Sequence, residues 1–132
     1  MLSEAELRSL DEDGYLAIPG LMPPDLLKAL RCRTDELFDA EGANAGSEFK
    51  QEPGARRLAN LVNKGQVFEE MIVNPLVLEC AARVLGPRFK LSSLNARSTD
   101  PWWPSPDTPD ASVHRSAQNR ILSVRFADGS DG

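Results

Sequence analysis

His114, in the stretch DASVHRSAQ, is the single histidine of the chain. Imidazole is the commonest metal ligand and titrates near neutral pH, so this residue is the first candidate for chemistry. No nucleophile elbow of the form G-x-S-x-G accompanies it, and a lone histidine does not make a triad. Two readings stand at this point: a metal ligand, or a residue of a polar tail. A second group of candidates lies in RFKLSSLNARS, where Phe89, Leu91, Ser93, Asn95 and Arg97 alternate with Lys90, Ser92, Leu94, Ala96 and Ser98. The first of these faces begins apolar and ends polar, as in a strand whose far end lines a wet pocket or runs out into solvent. Cys32 and Cys80 lie far apart, outside any C-x-x-C, and each falls in a helical run. The expectation is two small buried thiols without a disulfide.

Other chemistry lacks support. There is no G-x-G-x-x-G and no Walker-type loop. Asp11, Glu12 and Asp13 read as a solvated helix end, and Glu69 and Glu70 as a solvated helix face. The net charge of -5 argues against a nucleic-acid partner, which requires clustered Lys and Arg. No run is long and apolar enough to span a bilayer, and no leader pattern follows Met1, so a reducing cytoplasm is the expected compartment.

The elements that must position these residues follow from local signals. Length fits one domain, since 132 residues bury a modest core. Ser3 and Glu6 form a capping box, Leu2 and Leu7 sit at the staple positions, and Gly14 suits a left-handed helix end. YLAIPGL, Tyr15 to Leu21, reads as a strand stopped by Pro19-Gly20. A long amphipathic helix follows from Pro24 to Gly42, with Leu26, Leu27, Leu30, Leu37 and Phe38 on one side. Residues 42–56 read as a loop, and RLANLVN as a blurred strand. In QVFEEMIVNPLVLECAARVLG, Asn74 as cap and Pro75 as first residue open a second helix, which Gly86-Pro87 ends. Beyond Asp100, DPWWPSPDTPD carries prolines and no periodicity; Trp102 and Trp103 read as packing anchors. NRILSVRFA offers one more strand, with Leu122, Val124 and Phe126 on one side.

The order of these phrases resembles the N-terminal part of the phytanoyl-CoA dioxygenase family, within the Fe(II)- and 2-oxoglutarate-dependent oxygenases. The matching phrases are Asp13-Gly14-Tyr15 after the first helix, Asn74-Pro75 opening a helix, Val84-Leu85-Gly86 closing it, and the strand from Phe89 to Ser98. They span Leu2 to about Pro101. The resemblance implies an α+β chain: helices packed on one side of a double-stranded β-helix, or jelly roll, here with an incomplete barrel. It divides the chain into a family-like region, 1–100, and a Pro-rich loop with a divergent tail, 101–132, where disorder is expected. It also implies a dioxygenase that hydroxylates small or acyl substrates with Fe(II) and 2-oxoglutarate.

Site residues carry over one by one. Lys64, Asn95 and Arg97 match cofactor-binding positions; a solvated turn lysine is the alternative for Lys64. His114 falls near the first iron ligand. The family needs His-x-Asp, a later His and an Arg, whereas Ser116 stands in the acid's place and Arg115 adds positive charge beside a dication. The second histidine cannot come from this chain. The expectation is therefore a truncated or frame-shifted member, inactive alone and binding neither iron nor 2-oxoglutarate tightly. A degenerate domain, non-enzymatic and helix-rich, that binds other proteins is the alternative. Without a barrel, Leu58, Val62, Leu91 and Leu94 are expected to be exposed, and the strand at FKLSSLNA to be an edge open to self-association.

Overall fold

A computed structural model describes residues 1–99 and 120–129. The expectations for Trp102, Trp103, His114, Arg115 and Ser116 lie outside the described residues. Four α-helices and a three-stranded antiparallel sheet form a mixed α+β arrangement. None of the described helices is long and apolar enough to cross a membrane.

Helix α1 covers Glu4–Asp13 and starts on the expected capping box. The Ser3 hydroxyl accepts from the Glu6 amide, while the Glu6 carboxylate accepts from the Ser3 amide at 2.7 Å. Gly14 ends the helix at φ +79°, a conformation that favours glycine because it has no Cβ. Residues 15–18 form no strand. Their β-propensity is real, but no sheet edge among the described residues pairs with them, and propensity without a partner does not make a strand.

Helix α2, Pro24–Glu41, buries Leu30, Thr34, Leu37 and Phe38. The Thr34 hydroxyl bonds back to the Leu30 carbonyl at 2.6 Å, which satisfies it within the core. Leu27 lies off this stripe and is exposed. So does Cys32, which corrects the expectation of a buried thiol. Strand β1, Ala55–Leu58, is shorter than the run RLANLVN; Leu61–Asn63 is a 3-10 turn instead. Helices α3, Gln66–Ile72, and α4, Pro75–Leu85, break where expected, with the Asn74 side chain accepting from the Leu76 amide at 3.0 Å.

Strand β2, Lys90–Thr99, lies in the middle of the sheet, between β1 and β3, Arg120–Ala127. It is not an edge. The register sets Leu58 opposite Ala96, Arg57 opposite Arg97 and Leu94 opposite Val124. A bulge between Leu91 and Ser93 shifts the pairing by one residue. Leu91 therefore shares its face with Leu94 and Ala96, not with Ser93, Asn95 and Arg97 as strict alternation implies.

One sheet face meets the helices. Leu58, Leu94 and Ala96 pack with Leu30, Leu37 and Phe38 of α2, Phe68 and Met71 of α3, and Leu61. Leu58, Leu61 and Phe68 are fully buried, and Leu94 nearly so. This overturns the expectation that Leu58 and Leu94 are exposed; Val62 and Leu91 are half-buried. The helical layer buries Leu58, Leu94 and Ala96 of this face, while Leu91, Leu122, Val124 and Phe126 stay half-buried.

Candidate functional site

The other sheet face carries Arg57 from β1, Ser93, Asn95 and Arg97 from β2, and Ile121, Ser123 and Arg125 from β3. Arg97, Ile121, Ser123 and Arg125 are exposed, while Asn95 is half-buried. Its placement follows from the core: period two along each strand turns these residues outward once Leu58, Leu94 and Ala96 turn inward.

Two arginines stand directly opposite each other there, and like charges in that relation repel. Glu52 resolves the conflict. Its Oε2 accepts from Arg57 Nη2 at 3.0 Å, and its Oε1 accepts from Arg97 Nε. The turn that delivers Glu52 is Pro53-Gly54, with Gly54 at φ +76° and a bridge from Glu52 to Ala55. The Arg97 hydrogen bond, then that of Arg57, holds the Glu52 carboxyl below the usual glutamate value. Glu52 divides its oxygens between the two guanidinium groups, and Arg57 Nε is left buried without an acceptor.

Lys64 lies in a separate cluster. Its ammonium donates to both oxygens of Glu41 at 3.1 Å and to Glu48 at 2.7 Å. Its carbonyl accepts from Arg33 Nε at 2.7 Å. Burial alone would lower the Lys64 pKa, but the Glu48 and Glu41 carboxylates outweigh it and raise the value. With its side chain 17% exposed, Lys64 is not the solvated turn lysine of the alternative reading.

Arg97 and Asn95 thus share a face, and Lys64 is held by carboxylates of its own. Glu52 and Arg57 were not singled out by the sequence reading. Pro53-Gly54, a turn pair between Glu52 and the strand that carries Arg57, is the signal that could have found them. Arg56 goes the other way and lies over the Phe38 ring, 4.4 Å from its centroid.

For a metal, no group of three His, Cys, Asp or Glu suited to an ion occurs among the described residues. The donor set of the whole chain also does not fit the iron triad, because it holds one histidine and a serine where the acid belongs. Both cysteines are free, and burial pushes the Cys80 thiol up.

A second feature is an apolar groove of about 500 Å³, lined by Leu10, Leu16, Ile18, Val77, Val84 and Phe126 among others. It runs between α1, the segment after it, α4 and β3. No family model, curated protein or solved structure matches the chain.

Proposed function

We propose that this chain is the N-terminal portion of a phytanoyl-CoA-dioxygenase-like oxygenase, inactive by itself. The parent reaction of that family couples oxidative decarboxylation of 2-oxoglutarate to hydroxylation of a small or acyl substrate. The observation that supports the reading is the two-faced sheet. A jelly roll is two antiparallel sheets face to face. A sheet covered by helices on one side, and polar with Asn95 and Arg97 on the other, has the makings of one wall of it.

On this reading Arg97, with Asn95 beside it, meets an anionic substrate or cosubstrate, because a guanidinium matches a carboxylate geometrically. Lys64 is a poorer candidate, since Glu41 and Glu48 already hold its ammonium. Iron enters no step here: its other ligands must come from beyond these 132 residues. A reducing cytoplasm remains the proposed compartment.

The coding DNA after Ser98, read in all frames, tests the assignment. The expected result is His-x-Asp, a later His and an Arg in another frame; their absence from every frame refutes it. Titration of the isolated chain is expected to show no tight iron and no 2-oxoglutarate turnover.

One observation favours a second reading, a non-enzymatic protein-interaction domain. The apolar groove is lined in part by Val84, which is 66% exposed. Strong cooperative hydrogen-exchange protection across the whole chain would favour this domain over the fragment.

A further inference from the structure

We propose that Arg57 and Arg97 form a binding site for a small carboxylate, and that Glu52 is a tethered carboxylate which holds this site closed until a free one displaces it. The inference rests on the assignment of Arg97 to an anionic ligand and adds the device that governs access.

Three observations carry it. First, the strand register sets Arg57 and Arg97 directly opposite each other, where like charges repel and an anion held between them is favourable. Second, Glu52 fits imperfectly. Arginine binds carboxylate best as a fork, through two parallel N–H bonds to one carboxylate. Glu52 gives each arginine a single oxygen and leaves Arg57 Nε buried and unpaired. Third, the site is open on one side. The Arg97 side chain is 47% exposed, whereas those of Arg57 and Glu52 are 23% and 19% exposed. A ligand would reach Arg97 first and then compete with Glu52 for Arg57.

Glu52 precedes β1, is tied to it by a single bridge to Ala55 and lies outside the core cluster, so its side chain can swing away without moving the core. A carboxylate on a short tether acts at an effective concentration of about millimolar or above. Removing it should therefore strengthen binding of a free carboxylate by the ratio of that effective concentration to the tethered carboxylate's intrinsic dissociation constant, about tenfold where the constant is about one-tenth of the effective concentration.

The test uses glutarate, which has two carboxylates and no 2-oxo group, so that neither iron nor turnover is involved. Arginine Nε–H resonances of the 15N-labelled full chain are followed during titration of wild type, Glu52→Asp, Glu52→Gln and Glu52→Gln/Arg97→Gln. Shifts at Arg57 and Arg97 are expected, with the dissociation constant falling from wild type through Glu52→Asp to Glu52→Gln. The double variant should lose the site. Equal affinity in wild type and Glu52→Gln, or no shift at these two arginines, overturns the proposal. So does inorganic phosphate binding where glutarate does not. If neither Glu52 variant folds, Glu52 is a fixed strut and the latch is refuted. Glutarate binding without an oxygenase reading frame leaves the latch standing and removes the oxygenase; the reverse result removes the latch alone.

Discussion

Gly46 lets the loop that carries Glu52 lie against β1, and its replacement by alanine separates two effects that usually travel together. The residue sits at φ +81°, and its carbonyl accepts from the amides of Phe49 and Lys50 at 3.0 and 2.8 Å. An alanine Cβ there would stand 2.8 Å from Arg57 Cβ and 2.9 Å from the Lys50 carbonyl oxygen. Neither neighbour is the free end of a flexible side chain, so backbone must move. The left-handed conformation costs about 1–2 kcal/mol for a residue with a Cβ. Overpacking adds about 1–3 kcal/mol. Alanine returns about 0.4–1 kcal/mol by restricting the unfolded chain. The net loss for Gly46→Ala is then about 1–5 kcal/mol, centred near about 3 kcal/mol.

Gly14→Ala supplies the control. Gly14 has nearly the same φ, +79°, but nothing lies within 4 Å of its would-be Cβ. Only the conformational effect applies, so the loss should stay near about 1 kcal/mol. Urea unfolding of both variants measures the difference. With a slope of about 2 kcal/mol per molar urea, Gly46→Ala should fall by roughly 1.5 M in midpoint and Gly14→Ala by about 0.5 M. Equal midpoints for the two variants would falsify the close approach of this loop to Arg57.

Phe68→Ala should destabilise the chain by about 3–5 kcal/mol in the same assay, because Phe68 is fully buried between α2 and the sheet. The Glu52 carboxyl titrates below its ordinary value of 4.5, so in that window the unfolded chain binds more protons than the folded one. Its contribution is present above pH 4.5 and is lost as pH falls through the folded value; Glu52→Gln should flatten the acid limb of the stability curve, and an unchanged limb counts against the bridge. Lys64→Met leaves Glu41 and Glu48 without their shared cation and should cost about 1–2 kcal/mol near neutral pH, since the cluster is largely but not wholly buried. Because the Lys64 pKa is raised, its contribution is present below the ordinary 10.5 and declines as pH rises through the folded value; thermal melts of Lys64→Met should lack that alkaline decline.

What was legible in the sequence was chemistry settled within a few residues. The capping box of Ser3 and Glu6, the left-handed Gly14, the Pro24 start and the Asn74-Pro75 break each satisfy or remove a backbone group locally. What was not legible depended on distant partners. Tyr15–Ile18 has strand composition but no paired edge. Leu58 and Leu94 need α2 and α3, which the sequence places but does not orient. The bulge at Ser92 moves Leu91 to the core face, and nothing in SSL distinguishes it from a regular strand. Asn95 and Arg97 were legible as a polar strand end; Glu52, which meets Arg97 across the sheet, was not, because its partner lies 45 positions away.

The cationic pair and the core are one fact seen from two sides. Leu58 opposite Ala96 is the pairing that buries both against α2. With a period of two, the neighbouring pair, Arg57 and Arg97, must then face outward and oppose each other. A one-residue slip of β1 would separate the arginines but turn Leu58 into solvent, so the register cannot relax to relieve the repulsion. An anion supplied from outside the strands relieves it. Among the described residues Glu52 supplies that anion, from the turn just before β1. The register thus fixes where both arginines stand, while Glu52 lies outside the core cluster, and on the proposal above that difference lets a free carboxylate take its place.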